Sequence, residues 1–195
     1  MLRSLKREIA MQDFRLDPQS LSRMLGEFRG PAPVQQWHPP YCGEIDMRIA
    51  RDGRWYHNGQ LIRRAALVQL FASVLRREPD GSFSLVTPAE RVTIRVEDCP
   101  FVATLLNAGG EGEQGMLEFT LNTGERVQAG PQHRLLVTTV DGEPHPVLQV
   151  RDGLDALISR NVFYQLAALA QVEASSQGER LVLWSGGEKF VLGQI

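Results

Sequence analysis

Cysteine is almost missing from this chain of 195 residues: there are two, Cys42 and Cys99, and they form no CxxC pair. That argues against a disulfide-framed fold and fits a reducing cytoplasm, with both thiols free. An excess of basic charge is missing too. Lys and Arg number 21 against 23 Asp and Glu, for a formal net charge of −2. A surface for general nucleic-acid or anionic-membrane binding needs the opposite balance, leaving room only for a local basic patch. No apolar run approaches the roughly 18 residues of a membrane-spanning helix. The opening MLRSLKREIA is basic but lacks an apolar core, so it does not read as a secretory signal; Leu2, Leu5 and Ile9 suit an amphipathic lead-in better than membrane contact. Enzyme signatures are also lacking: there is no GxSxG, no HExxH and no GxxxxGK[ST]. What remains is an ordinary globular composition, 43% hydrophobic and 23% charged, able to bury a core in one large domain or two small ones.

Against these absences stands an internal repeat. Residues 61–72 read LIRRAALVQLFA and residues 157–168 read LISRNVFYQLAA, identical at six of twelve positions; ordinary composition gives about one match by chance. An apolar-polar-apolar step and Arg-Asp-Gly precede both copies, ending at Gly53 and Gly153, and a strand-turn-strand pattern follows both. The expected fold is therefore α+β, a duplicated strand-helix-hairpin unit forming two packed lobes, the second richer in strand. Residues 1–36 form a helical lead-in, with Asp17-Pro18 opening a helix that buries Leu21, Met24, Leu25 and Phe28. Residues 37–106 form the first lobe, the Gly-rich run 107–115 a linker, and residues 116–195 the second lobe.

Within the first lobe the proline-rich stretch 36–46 reads as irregular. A hairpin turns at residues 51–53, Asn58-Gly59 leads into a helix over 62–77, and strands follow at 82–86 and 91–96. In the second, strands are expected at 116–121, 125–129, 133–140 and 146–150, a helix over 154–172, and a closing hairpin turning at Gly186-Gly187.

Chemistry is sparse. His38, Cys42, His57 and Cys99 are the only set resembling metal ligands, and their spacing is wrong for a local site, so no metal or other cofactor is expected. Glu44 and Asp46, two apart, face the same way on a strand and suit a turn or cap role better than acid-base work. The arginines say more. Arg63 and Arg64 fall in the first turn of one repeat helix and Arg160 near the start of the other, where a cation opposes the helix dipole by about 0.3–1 kcal/mol. Two readings stand: a salt bridge to a carboxylate such as Asp46 or Asp52, or an anion site in which Arg forks and free N–H groups hold a phosphate or carboxylate. Arg91 would extend such a site, and Trp37, Tyr41, Trp55 and His57 would offer a stacking face or serve as core.

The string GEIDMRIARDGRWYHNGQLIRR, with Gly43, Ile45, Asp46, Arg48, Asp52-Gly53, Trp55, Gly59, Ile62 and Arg64, followed by Thr87-Pro88, Glu90, Val96-Glu97-Asp98 and Pro100-Phe101, resembles the bacterial family described as domain of unknown function 1285. The chain departs from the pattern at Gln60-Leu61, where the family has Ser-Pro, and at Cys99, where it has Ala; the first removes a good helix N-cap. The resemblance implies a duplicated core, a second lobe loosely similar to pleckstrin-homology-like folds, a ligand site between the lobes for a nucleotide-like molecule, and a link to signalling. The expectation is thus a non-enzymatic protein that senses a small anionic ligand between two lobes. An enzyme acting on a phosphorylated or carboxylated metabolite through Glu44, Asp46 or His57 is the alternative, and a protein-interaction module offering a sheet edge is a third.

Overall fold

The computed structural model describes residues 32–176 and 178–194. The helix expected over residues 17–30 lies outside them, and of the lead-in only a 3-10 turn at Val34–Gln36 falls inside. The protein is a mixed α/β structure, rich in strand, with two short helices among the described residues.

Strands β1 (Tyr41–Ile49), β2 (Trp55–His57) and β3 (Gln60–Leu61) come first, then helix α1 (Ala65–Ser73), then β4 (Leu75–Arg77), β5 (Phe83–Val86) and β6 (Arg91–Val96). All six strands form one sheet in the order β3-β2-β1-β6-β5-β4. Its neighbours are antiparallel except β1 and β6, which run parallel at the centre. A second six-stranded sheet contains β7 (Phe101–Gly109), β8 (Met116–Leu121), β9 (Arg126–Gln128), β10 (Leu135–Val140), β11 (Glu143–Arg151) and β12 (Leu154–Ile158), in the order β10-β11-β12-β7-β8-β9. Helix α2 (Arg160–Leu169) follows, and β13 (Gln171–Ser175), β14 (Gly178–Ser185) and β15 (Glu188–Gln194) close the chain as an antiparallel meander.

Local physics explains where these elements depart from the expected ones. Asn58 and Gly59 both have positive φ, 49° and 72°, the geometry of a two-residue hairpin turn. They reverse the chain into β3, pairing His57 with Gln60 and Tyr56 with Leu61, so the helix starts at Ala65 rather than Ile62. Its N-cap is Arg64, which gives no side-chain cap. The helix also ends earlier than residue 77. Leu75 and Arg76 pair with Leu85 and Ser84 of β5, and Leu75 is almost completely buried, so sheet pairing wins over helical continuation. The second expected helix divides in the same way. Leu154, Ala156 and Ile158 are buried while Asp155 and Leu157 are only partly so, a period of two that makes residues 154–158 a strand; Ser159 then stands at the N-cap position, without a side-chain cap bond, of a helix of ten residues. Residues 107–115 are not a linker but the end of β7 and the turn to β8, with Gly109 paired to Met116. The stretch 36–46 is irregular only as far as Pro40; β1 begins at Tyr41 and carries register shifts on either side of Glu44.

The duplicated strand-helix-hairpin unit is not clear in this architecture. The two Arg-Asp-Gly turns lie at different places: residues 51–53 join β1 to β2, whereas residues 151–153 join β11 to β12, the strand directly before a helix. One buried cluster runs through the molecule, from Met47, Ile49 and Trp55 through Phe101 and Phe119 to Phe190 and Leu192. Cys42 and Cys99 are both free, and no helix among the described residues is long and apolar enough to cross a membrane.

Candidate functional site

The β1–β2 turn is the pivot of the site. Backbone bonds from Gly53 N–H to the Ala50 carbonyl and from Ala50 N–H to the Arg54 carbonyl close it, and the Glu97 carboxylate accepts from Arg51 N–H and pairs with Arg48 at 2.5 Å. Those bonds hold the Glu97 carboxyl below the usual carboxylate range, Arg48 contributing most. Asn122, from the β8–β9 turn, donates to the Gly53 carbonyl at 2.9 Å and accepts from Val102 N–H at 3.0 Å. The turn is thereby fixed against the second sheet, with the Arg51 side chain 67% exposed.

Arg51 faces a cleft of about 630 Å³ whose other walls are the start of β11, with Glu143 and His145, the end of β12, and the first turn of α2 with Arg160, Phe163 and Tyr164. That volume falls within the range of small-molecule sites. Arg160 approaches Glu143 only to 3.9 Å, with both side chains about three-quarters exposed; a pair so wet holds neither partner firmly. Tyr164 is 63% exposed. Cationic forks, an imidazole and aromatic faces thus converge beside the N-terminus of a helix, where backbone N–H groups favour negative charge.

Behind Arg51 lies a less accessible cluster. Asp98 accepts from the Cys99 thiol at 3.5 Å, contacts His145 Nε2 at 2.9 Å through the same oxygen, and meets Arg51 Nε at 3.1 Å through the other. Burial, then the neighbouring Asp98 charge, push the Cys99 thiol up to about 12, so it is a poor nucleophile.

A second hollow, of about 200 Å³, lies where α1 meets the β8–β9 turn. It is lined by Trp55, Gln69, Asn122 and Thr123, among others. Trp55 Nε1 and Thr123 Oγ1, both in buried side chains, have no hydrogen-bond partner among the described residues. A water or a small polar group fits there.

The residues singled out in the sequence are spread over several places. Arg160 lines the large cleft. Trp55 lines the second hollow and stacks on Phe71, ring centroids 6.2 Å apart. Arg91 is held by Glu78 at 2.9 Å and lies over the Tyr41 ring. Trp37 belongs to the same neighbourhood, its carbonyl accepting from Arg76. Arg63, Arg64 and His57 are exposed and line neither space. Neither candidate carboxylate holds Arg64: it has no ion-pair partner among the described residues, Asp52 is taken by Arg54, and Asp46 is exposed on β1. Of the proposed ligand set only Cys99 enters a cluster, with Asp98 and His145 rather than His38, Cys42 and His57. Sequence reasoning missed Arg51, His145, Phe163 and Tyr164. Arg51 belongs to a repeated turn, and Phe163-Tyr164 stand where the first repeat has Leu67-Val68, so both carried a signal. His145 carried none, because only the fold of the β10–β11 hairpin brings it to Asp98.

The fold and its clefts define a strand-rich protein of two domains. The chain belongs to the DUF1285 family: the family's N-terminal domain, a domain of unknown function, matches residues 32–99, and its C-terminal domain matches residues 100–192. The boundary between them falls at the Cys99–Pro100 bond, beside Asp98. The chain is similar to the crystal structure of a DUF1285 family protein from Silicibacter pomeroyi DSS-3, at 45% identity and a TM-score of 0.79, covering 86% of this chain and 90% of that one. It is also similar to one from Shewanella baltica OS155, at 24% identity and a TM-score of 0.49, covering 61% and 87%. No curated protein matches the chain.

Proposed function

We propose that this chain is a non-enzymatic binding protein that senses a small anionic ligand at the junction of its two domains. The observation that carries this reading is the placement of Arg51, from the first domain, and Arg160, from the second, on one cleft with His145, Phe163 and Tyr164. Two cationic forks from different domains match a phosphate or carboxylate, and the aromatic pair suits a flat ring, which agrees with a nucleotide-like ligand. A ligand bridging two domains is also a simple way to report its presence, in keeping with a role in signalling and a cytoplasmic location. The order three strands, helix, three strands occurs twice, and we read it as the trace of a duplication, with the second domain loosely pleckstrin-homology-like.

The test is calorimetric titration of the full chain with nucleoside phosphates and dicarboxylates. The expected result is saturable binding by one of them, weakened at least tenfold in Arg160→Ala and in Arg51→Ala, with unchanged melting temperature for Arg160→Ala. At 100 times its dissociation constant the ligand should stabilise the fold by about 2.7 kcal/mol. No binding across the panel, or binding indifferent to both substitutions, would reject the reading.

A further inference from the structure

Asp98, Cys99 and His145 form a cluster beside the anion cleft, which His145 also lines. A carboxylate oxygen, Cys99 Sγ and an imidazole nitrogen all lie within 4.8 Å of one another. The Asp98 and His145 side chains are only 15% and 16% exposed, and Cys99 is buried. We propose that these three side chains bind a divalent metal ion of the zinc class and so staple the end of the first domain to the β10–β11 hairpin of the second.

Three features support a metal over a simple ion pair. The donor set is one sulfur, one nitrogen and one oxygen, which suits zinc and its late first-row neighbours and disfavours magnesium or calcium. The spacing is close to what an ion needs: donors at tetrahedral corners, about 2.0–2.3 Å from the ion, stand about 3.3–3.8 Å apart. The 3.5 Å from Asp98 to Cys99 falls inside that range, and the 2.9 Å from Asp98 to His145 lies below it, so a small outward shift of the imidazole would admit the ion. The charges balance as well, since a carboxylate and a thiolate neutralise a divalent ion. Arg51 occupies the other Asp98 oxygen, and its largely exposed side chain has room to retreat from a cation. On binding, the Cys99 S–H bond breaks, a sulfur–metal bond forms and one proton leaves to solvent; no electron moves. Three protein ligands leave a fourth position for water. The inference shares His145 with the anion cleft and touches Arg51 through Asp98, but it stands on a different donor set and is read with a different probe, so either can fail without the other.

Cobalt(II) titrated into the chelator-treated full chain tests it. The expected outcome is saturation at one equivalent, with a near-ultraviolet thiolate-to-cobalt absorption that zinc displaces. The band should disappear in Cys99→Ser and persist in Cys42→Ser. His145→Gln, a second variant in case Cys99→Ser does not fold, should weaken binding at least tenfold. Failure to saturate at one equivalent, cobalt binding without the thiolate band, a band that follows Cys42, or affinity unchanged in His145→Gln would each overturn the proposal.

Discussion

Arg76 and Glu78 show how one pair of side chains fixes the rim of the first domain. Both are buried, at 10% and 8% side-chain exposure, and bonded at 2.9 Å. Arg76 also donates to the carbonyls of Val34 and Trp37, and Glu78 takes Arg91 as a second partner. Burial pushes the Glu78 carboxyl up, but Arg76 and then Arg91 outweigh it and leave it below the usual range. Arg76→Ala strips one partner from a buried charge and removes a donor from the Val34 and Trp37 carbonyls, so chemical denaturation at neutral pH should show a loss of about 3–5 kcal/mol. The stability that Glu78 contributes is present above its unfolded value, about 4.3, and disappears as pH falls through the lower folded value. Asp155 has the opposite sign. Burial raises its carboxyl, and Arg77 only partly opposes the effect. Its ionisation therefore costs stability in full above the raised folded value, and the cost fades as pH falls from that value to the unfolded one, about 3.9. Asp155→Asn should unfold at higher denaturant concentration than the parent at pH 7, with the difference closing in acid. A variant that is less stable at neutral pH would show that the Arg77 contact outweighs burial.

At the scale of elements, turns decided more than helices. Gly53 has φ of +79°, and a Cβ there would lie 2.5 Å from Asn122 Nδ2 and 2.9 Å from Val102 Cγ2. Gly53→Ala must therefore strain the backbone and dislodge the side chain that ties the β1–β2 turn to the second sheet. Thermal unfolding should report a loss of about 1–3 kcal/mol, and the anion binding proposed for Arg51 should weaken with it. A neutral result would mean that Asn122 swings aside freely. This turn was legible in the residues, as were Met116–Leu121 and Arg91–Val96, because Gly, Asn and Asp at fixed positions and alternating apolar side chains act within a few residues. The helix ends were not. Leu67, Leu70, Phe71 and Val74 keep one helical face, but Val74 already lies outside α1 because the ladder to β5 claims the chain there. The reading of Asn58-Gly59 as a helix entry failed for a related reason: the same two residues make a tight hairpin, and only the pairing of β2 with β3 decides between them. Arg160 stands at the start of its helix, as its place in the repeat implies, whereas α1 begins only after Arg63 and Arg64.

For the whole molecule, the question is whether two family domains amount to two folding units. Side chains cross the boundary repeatedly. Gln69 of α1 donates to the Thr123 carbonyl at 2.8 Å, and Arg77 to the Gly153 carbonyl at 3.2 Å. Arg151 joins the Glu125 carboxylate to the Ala72 carbonyl at the end of α1. The buried apolar cluster is continuous from Met47 in the first sheet to Leu192 in the last strand. Opening one domain alone would expose Phe101 and Trp55, each almost completely buried, and would leave the cross-boundary carbonyls without donors. Large apolar contacts would be lost along with those bonds, so opening one domain destabilises the other. We therefore expect one cooperative transition in scanning calorimetry, with van't Hoff and calorimetric enthalpies in agreement. Asn122→Ala should shift that transition down as a single peak. Two resolved peaks, or agreement lost only in the variant, would instead mark the junction as a hinge between independent units, and ligand-driven closure would then replace a preformed cleft as the way Arg51 and Arg160 meet.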